Sequence, residues 1–367
     1  MRISLLDPGL QHLVGHHFDL DLRLVRALAH RGHEVAAHGF VSPSPELAAM
    51  AKAAGMALHT TFRALTYARL PEGEPAIDAY RRLANATAED LAGVPQTDLW
   101  IWPTLAPYQL MAAILQAHRV QQIGLLWFPP RSPVPIGARC WARAARRVVE
   151  AQYPIIVGAC DELVCELYQS FSPGLHIARL PCPHDGAPND RRPSALRRIG
   201  FFGHQRVRRG LNLLPQLVTA LLERGFEVVV QDSSGTLRRR GDNDPRLLVL
   251  PFVADFPAEI ARCDVIIWPS QWETYMDNSS GVVSECIATG VPVILPSGCV
   301  PAALASRFGC GTFFHEFSCD AILEAVDEAA QRFPALVAQA HAAATGWRAV
   351  NGTDRLVDWI EAHSAGS

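Results

Sequence analysis

The hydrophobic positions of the chain follow two alternating patterns. Short apolar runs, such as residues 3–6 and 98–101, are typical of buried parallel strands. Between such runs lie longer segments whose apolar residues recur four positions apart, as at Leu20, Leu24 and Leu28, and these predict amphipathic helices. The alternation continues through both halves of the chain. It predicts parallel sheets with helices on their faces.

The segment 265–296 shows this alternation most clearly. It opens with a β-branched apolar run that Pro269 ends, which predicts a strand. A polar and aromatic loop follows, and Ser279 or Ser280 is placed to cap the helix that the next apolar positions predict. A glycine ends this helix, and residues 291–295 form the next predicted strand.

The loop and the helix start of this segment are the first candidate ligand site. In an open parallel sheet, ligands bind beyond the carboxyl ends of the strands. The backbone amides of Ser280 and Gly281 would offer the positive end of the helix dipole to a phosphate. Glu285 lies within two turns of the helix start, where its carboxylate could accept hydrogen bonds from ribose hydroxyls.

The acidic residues of this segment carry a resemblance to a known family. Seven residues separate Asp277 from Glu285, and Gly-Val-Pro-Val follows at 290–293. This arrangement resembles the acid-x7-Glu signature of retaining GT-B glycosyltransferases and, more narrowly, of glycosyltransferase family 4. The family usually has glutamate first, so Asp277 is a departure. The resemblance implies that the first acid lies near the transferred sugar, that the second binds the ribose, and that the helix start holds the diphosphate. At the helix start the residues concerned are Ser279, Ser280 and Gly281.

A basic turn after the first strand of the second half extends the resemblance. The family commonly reads Gly-Arg-x4-Lys-Gly there. This chain has Gly203, then His204 at the arginine position and Arg209 at the lysine position. The resemblance implies that these groups neutralise the donor diphosphate as the glycosidic bond breaks, with Arg206 as an alternative to His204. A guanidinium can grip phosphate through two hydrogen bonds, whereas the simpler interpretation is a basic turn before a helix. The loop that contacts the nucleobase in the family corresponds here to Phe252 and Val253.

The first half of the chain contains a second candidate region. Gly15, His16 and His17 precede a predicted helix, as in the opening of many GT-B N-terminal domains. That resemblance implies contacts to the acceptor or to the donor sugar. Trp127 follows a predicted strand at which family members often carry a histidine, and its ring could stack on a sugar. Packing within the protein is the alternative for all of these residues.

A predicted helix over residues 137–150 presents one basic face. Arg139, Arg143, Arg146 and Arg147 share that face at helical spacing. Contact with anionic lipid or with a lipid-linked acceptor is one interpretation, and a solvated basic surface is the other. We therefore expect a cytoplasmic protein, with peripheral contact at the inner face of the membrane as a further option.

Composition and charge argue against nucleic-acid-binding, disulfide-bonded and membrane-spanning classes of protein. A chain of 367 residues is long enough for two α/β domains, and its net charge of −3 gives no overall field that favours nucleic acid. Nine cysteines without a Cys-x-x-Cys pair are expected to be reduced thiols of a cytosolic protein. The chain begins directly with a predicted strand, so we expect no signal peptide. It also has no apolar run long enough to span a membrane.

The expected architecture is the GT-B fold, in which two Rossmann-like doubly wound domains face each other across a cleft. Residues 1–183 are expected to form the acceptor-side domain, and the polar, proline-rich residues 184–197 the interdomain linker. Residues 198–345 then form the nucleotide-sugar domain. Residues 346–367 contain a helix that is expected to return to the N-terminal domain.

The resemblance implies a hexosyltransferase of glycan or glycolipid biosynthesis. Such an enzyme moves a hexosyl unit from a nucleotide-diphosphate sugar to the hydroxyl of a saccharide or lipid-linked acceptor. The resemblance also implies retention of anomeric configuration, with no metal and no cofactor beyond the donor. No clustered His, Cys or Asp spacing suggests a metal site. Two alternatives stay open. The departures at Asp277 and His204 point to a non-catalytic nucleotide-sugar-binding protein, and the pair His16–His17 would suit a nucleotide-sugar epimerase.

Overall fold

A computed structural model describes residues 1–13, 15–66, 72–116, 119–129, 134–172, 174–203, 206–232, 234–237, 244–251, 253 and 255–364. The chain divides into two compact units. The first consists of Met1–Pro183 with Thr353–Ser367, and the second of His184–Gly352. None of the nine cysteines, all of which the structure describes, forms a disulfide, and seven of them are buried.

The first unit is built on a seven-stranded parallel sheet with the strand order β3-β2-β1-β4-β5-β6-β7. Its strands are β1 (Arg2–Leu6), β2 (Glu34–Phe40), β3 (Leu58–Phe62), β4 (Leu99–Trp102), β5 (Gln121–Leu126), β6 (Ile155–Ala159) and β7 (Ile177–Arg179). Its first helices are α1 (His17–His30), α2 (Pro45–Ala53), α3 (Ala76–Leu91), α4 (Pro107–Ile114), α5 (Val134–Glu150) and α6 (Glu162–Phe171). β4 is buried over its whole length because both sheet faces are covered, and this explains its uninterrupted apolar sequence.

The second unit has a six-stranded parallel sheet with the order β10-β9-β8-β11-β12-β13. Its strands are β8 (Arg198–Phe201), β9 (Glu227–Gln231), β10 (Leu247–Leu250), β11 (Val265–Ile267), β12 (Val293–Pro296) and β13 (Gly311–Phe314). Its helices are α7 (Leu214–Glu223), α8 (Phe256–Ala261), α9 (Gly281–Thr289), α10 (Val300–Phe308), α11 (Cys319–Gln331) and α12 (Phe333–Val350). The strand order reverses between β8 and β11, and ligands of doubly wound sheets bind at such a reversal.

The last helix, α13 (Thr353–Ser364), belongs to the first unit. Leu356, Val357 and Ile360 are fully buried in the same apolar cluster as Leu24 and Leu28 of α1. The expected start of the returning segment at residue 346 needs correction, because α12 continues through this point to Val350. The physical cause is the continued apolar face of α12, on which Trp347 is still buried within the second unit.

Two further expectations differ from the structure. The expected linker 184–197 is packed against the second unit: Ala187 N donates to Thr289 Oγ1 at 3.2 Å, and Arg191 Nη2 donates to Asp264 Oδ1 at 2.6 Å. Polar side chains that seemed suited to solvent therefore serve as anchors. The hydrophobic pattern also did not predict β3, over Leu58–Phe62. This strand was missed because it lies at the sheet edge, where an exposed stretch with only its last residue fully buried has no hydrophobic period.

Candidate functional site

Two neighbouring loops at the carboxyl edge of the second sheet form the candidate site. One follows β8 and the other follows β11, and these strands pair in parallel with Ile199 opposite Val265. The loops are also tied to each other, because Gln271 N donates to Arg208 O at 3.0 Å. The strand reversal therefore places the basic turn beside the aromatic and acidic loop.

A glycine permits the close approach of these two loops. Gly210 has a φ of +79°, and a Cβ added there would lie 2.5 Å from Pro269 O. Only glycine accepts both the left-handed backbone and this contact. We infer that the Arg-Gly pair of the basic turn is needed for loop geometry as well as for its charge.

The start of α9 matches its sequence signals. Ser280 Oγ accepts a hydrogen bond from Val283 N at 3.4 Å, which confirms the predicted cap, and Gly290 ends the helix with a φ of 76°. Gly281 is exposed at the first helical position. The first turn of α9 thus presents backbone amides to solvent and fits the expected binding of an anion.

Gly203 brings the basic turn and this helix start together. Its φ is +98°, and a Cβ built on it would lie 3.0 Å from Val282 Cγ2 and 3.9 Å from Arg209 Nη1. Its amide donates to Gln231 Oε1 at 2.9 Å. Three of the expected donor-site elements therefore meet at one point: the glycine after β8, the guanidinium of Arg209 and the first turn of α9.

The three arginines of the basic turn are not equivalent. Arg206 and Arg208 are exposed, whereas Arg209 is half-buried with its Cζ 5.6 Å from the centroid of the Tyr275 ring. Contact with an aromatic face restrains a guanidinium and leaves its N–H groups free for other acceptors. Arg209 is thus the arginine that is held beside Gly203. His204, the other expected cation, lies outside the described residues, as does Phe252.

Glu285 is buried, with 3% of its side chain exposed. Its Oε1 accepts from His184 Nδ1 at 2.8 Å, and its Oε2 accepts from Gly186 N at 3.2 Å. These contacts fix the carboxylate on the inner side of α9 and anchor the start of the 184–197 segment. A carboxylate oxygen has two lone pairs and can accept more than one hydrogen bond. The expected ribose contact stays a prediction.

The remaining residues of the expected donor site have less specific surroundings. Asp277 is exposed and accepts from Asn278 Nδ2 at 2.9 Å. Ser279 is half-buried, and Val253 is buried at 8% exposure. The roles expected for Asp277 near the sugar and for Val253 at the nucleobase stay predictions.

The first unit contains a histidine–carboxylate pair at the carboxyl end of β1. His17 Nδ1 lies 2.7 Å from Asp7 Oδ2, and Asp7 is fully buried. Gly9 lies directly beneath the ring, since an added Cβ would be 2.1 Å from His17 Cε1. His16 Nε2 lies 3.1 Å from Thr104 Oγ1, and the two histidine rings stack with centroids 4.3 Å apart. The carboxylate of Asp7 thus orients the His17 ring through Nδ1.

A second buried carboxyl group lies one helical turn beyond His17. Burial, and secondarily the charge of Asp7, raises the pKa of Asp21 well above its ordinary value. Neither of its oxygens has a hydrogen-bond partner among the described residues. The raised pKa favours the protonated form of Asp21.

Gly15 and Trp127 are the other residues of the first unit that were expected to contact a sugar or an acceptor. Gly15 is exposed with a φ of 110°. Trp127 is half-buried, and its indole N–H donates to Pro103 O, so one edge of the ring is held by the protein. Its expected stacking on a sugar stays a prediction.

Sequence reasoning missed two of the partners that define these sites. Asp7 follows β1 directly and could have been found as an acid at a strand's carboxyl end. His184 opens the segment that was expected to be a linker, and no local pattern connects it with Glu285, 101 residues away.

The described ranges contain neither a metal site nor a membrane-spanning helix. There, no group of three His, Cys, Asp or Glu side chains is placed to hold a metal ion. Among the described helices, none is both long enough and apolar enough to cross a membrane.

Comparison with solved structures places the fold among glycosyltransferases. The chain is similar over 100% of its length to the whole of the Anabaena protein HepE, solved with UDP and glucose, at 13% identity and a TM-score of 0.67. It is similar to the whole of sucrose-phosphate synthase from Thermosynechococcus elongatus at 13% identity, with 100% of each chain covered and a TM-score of 0.68. The glycosyltransferase SnogD from Streptomyces nogalater matches at 20% identity, with 99% of each chain covered and a TM-score of 0.61. No protein-family model and no curated protein sequence matches the chain.

At these identities the likeness concerns the fold. The two parallel α/β units are those of GT-B glycosyltransferases, so the predicted fold class is confirmed.

Proposed function

We propose that this protein transfers a hexosyl unit from a nucleotide-diphosphate sugar to an acceptor hydroxyl. The observation that carries the proposal is the meeting of Arg209 and the first turn of α9 at Gly203. A guanidinium and a helix N-terminus together form a site for a diphosphate. The solved complexes of HepE with UDP and with UDP-glucose support a donor of this class.

Each element of the site has a proposed role. The amides of α9 hold the donor diphosphate, and Glu285 accepts from the ribose hydroxyls. Arg209 stabilises the negative charge that develops on the nucleotide diphosphate as the bond between the anomeric carbon and the phosphate oxygen breaks. Asp277 acts near the sugar.

The resemblance to family 4 supports a retaining transfer, and one observation favours a second candidate mechanism. In a single inverting displacement, the acceptor oxygen forms its bond to the anomeric carbon opposite the departing phosphate, and a base takes the acceptor proton. His17, oriented by Asp7 at 2.7 Å, has the form of such a base. The anomeric configuration of the product, read by NMR, distinguishes the two mechanisms.

A panel of nucleotide-sugars tests the function itself. We expect slow donor hydrolysis without acceptor, because water can replace an acceptor hydroxyl, and faster nucleotide release with an acceptor. Chromatography of the nucleotide and sugar products measures both. Binding without turnover would instead favour a non-catalytic binding protein. Epimer formation would favour an epimerase that uses His16 or His17.

Activity is expected to survive chelation of divalent cations. The proposed neutralisation of the diphosphate depends on Arg209 and the α9 dipole, so no metal is required at that position. The measurement is the transfer rate after treatment with EDTA, with an untreated sample as control. Activity that disappears with EDTA and returns with Mg²⁺ or Mn²⁺ would contradict this part of the proposal.

The basic face of α5 supports a further proposal about the acceptor. Arg139, Arg143 and Arg146 are exposed and have no acidic partner among the described residues. We propose that this face binds an anionic membrane surface and brings the protein to a lipid-linked acceptor. Cosedimentation with anionic and with zwitterionic vesicles tests it, and equal recovery with both would argue against it.

A further inference from the structure

His184 occupies a position between two elements of the proposed donor site. Its Nδ1 lies 2.8 Å from Glu285 Oε1. On the other side of the ring, Nε2 lies 3.6 Å from the position that a Cβ on Gly281 would occupy, and Cε1 lies 3.3 Å from it. The imidazole therefore extends from the buried carboxylate to the first residue of α9.

The backbone holds this ring in place. Trp347 Nε1 donates to His184 O at 2.7 Å, and the Gly186 amide binds the other oxygen of Glu285. Gly186 has a φ of +69°, and an added Cβ would lie 2.4 Å from Ala288 C, so the segment is pressed against α9. His184 keeps 25% of its side chain exposed while its partner Glu285 is buried.

The loop between β11 and α9, which leads into this helix start, contains buried polar groups whose hydrogen bonds are incomplete. The amides of Gly281 and Val282 precede the first intrahelical hydrogen bonds of α9, and the Ser280 hydroxyl accepts from Val283 N. Ser270 Oγ and Asn278 Oδ1, in the loop between β11 and α9, are buried without a partner among the described residues. Buried polar groups in proteins are nearly always paired, so these atoms independently point to a polar ligand at this loop.

We infer that His184 is a donor-binding residue that links recognition of the ribose to recognition of the diphosphate. The inference rests on the proposed function and adds a residue to its site. Through Nδ1, His184 fixes the carboxylate of Glu285, and through Nε2 it donates a hydrogen bond to the phosphate held at the start of α9.

The chemistry of the ring fits both contacts. A carboxylate only accepts, so Nδ1 carries the proton toward Glu285. A phosphate oxygen also only accepts, so Nε2 must carry a proton when the diphosphate is bound. Both acceptors are anionic, so the hydrogen bond at each end of the ring is charge-assisted.

Calorimetry with the full-length protein tests this inference. UDP, GDP, ADP and dTDP are titrated first, and the diphosphate that binds most tightly is compared with its own monophosphate. His184→Asn keeps a donor near the Nδ1 position and removes Nε2. We expect this variant to lose about tenfold or more in diphosphate affinity, the size of one charge-assisted hydrogen bond, and to bind the monophosphate nearly as the parent does.

Two further variants separate contact from folding. His184→Gln places a donor near the Nε2 position and is expected to recover part of the preference for the diphosphate. His315→Asn changes an exposed histidine whose ring bonds Ser297 Oγ at 2.9 Å, and it should leave the preference unchanged. The ratio of diphosphate to monophosphate affinity is measured only on protein that is folded at the assay temperature. A loss of stability is therefore not mistaken for a loss of the phosphate contact.

The possible outcomes are distinct. An unchanged ratio of diphosphate to monophosphate affinity in His184→Asn would overturn the inference and leave the proposed function intact. Failure of the parent protein to bind any of the four diphosphates would overturn the proposed function, and the inference with it.

Discussion

Replacement of Arg209 by alanine is expected to lower kcat by about 10²–10³, the usual cost of losing one preorganised group that stabilises transition-state charge. The guanidinium beside Gly203 meets charge that grows as the nucleotide leaves, so kcat should fall more than KM rises. Binding of the free nucleotide should persist, because Glu285 and the start of α9 remain. Steady-state kinetics and calorimetry measure the two effects separately. Arg209→Lys should keep much of the activity, since a point cation can meet the same phosphate.

Arg208 provides the matched control for Arg209. Both residues lie in the same short 3₁₀ turn, Val207–Arg209, but Arg208 is exposed and Arg209 is half-buried against Tyr275. Arg208→Ala should therefore retain activity. Equal losses at the two positions, or a loss at neither, would show that the turn only contributes general positive charge. A thermal melt of each variant excludes unfolding as the cause.

Glu285→Ala is expected to weaken nucleotide-diphosphate binding by about 1.5–3 kcal/mol, or roughly 10- to 150-fold in Kd. The physical reason is the loss of charge-assisted hydrogen bonds from the ribose. The same change removes the acceptor of His184 Nδ1 and of Gly186 N, so a lower free energy of unfolding is expected as well. Calorimetry on folded protein, with denaturant unfolding in parallel, resolves the two effects.

Thr289 supplies a control for the structural part of this effect. Its hydroxyl accepts from Ala187 N at 3.2 Å and thus anchors the same segment one helical turn further on. Thr289→Ala should lower stability without changing nucleotide affinity. If Glu285→Ala and Thr289→Ala both bind nucleotide as tightly as the parent protein does, Glu285 only anchors the 184–197 segment and the ribose assignment is wrong.

Much of the fold could be predicted because its signals are local. The apolar run of β11, the Ser280 cap and the terminal Gly290 each depend on a few adjacent residues, and the structure has all three in place. The limits of α12 and the packing of the 184–197 segment were missed because both depend on burial against distant elements. Polar side chains can either face solvent or make hydrogen bonds that anchor a segment to the protein. The local sequence pattern is the same in both cases.

For the candidate site, too, the residues could be predicted from local motifs but their contacts could not. Motif spacing identified Glu285 and Arg209, but it did not indicate that one is buried against His184 and the other held against Tyr275. His17 was identified only as one of two adjacent histidines. Its pairing with Asp7 depends on Gly9, which allows the ring to lie on the backbone.

By itself, the sequence determined the alternation of strands and helices apart from the edge strand β3, the helix start at Ser280, and the cations and acids available for the site. These features follow from hydrophobic period, capping and glycine placement, which act over a few residues. Only the tertiary structure decided which of those groups meet. Parallel strands bring loops that are far apart in sequence to one edge, and burial then selects Arg209 over Arg208 and couples Glu285 to His184 across 101 residues. Hydrogen bonds of this kind depend on distances of a few ångströms, and such distances are fixed only when the sheets and helices pack.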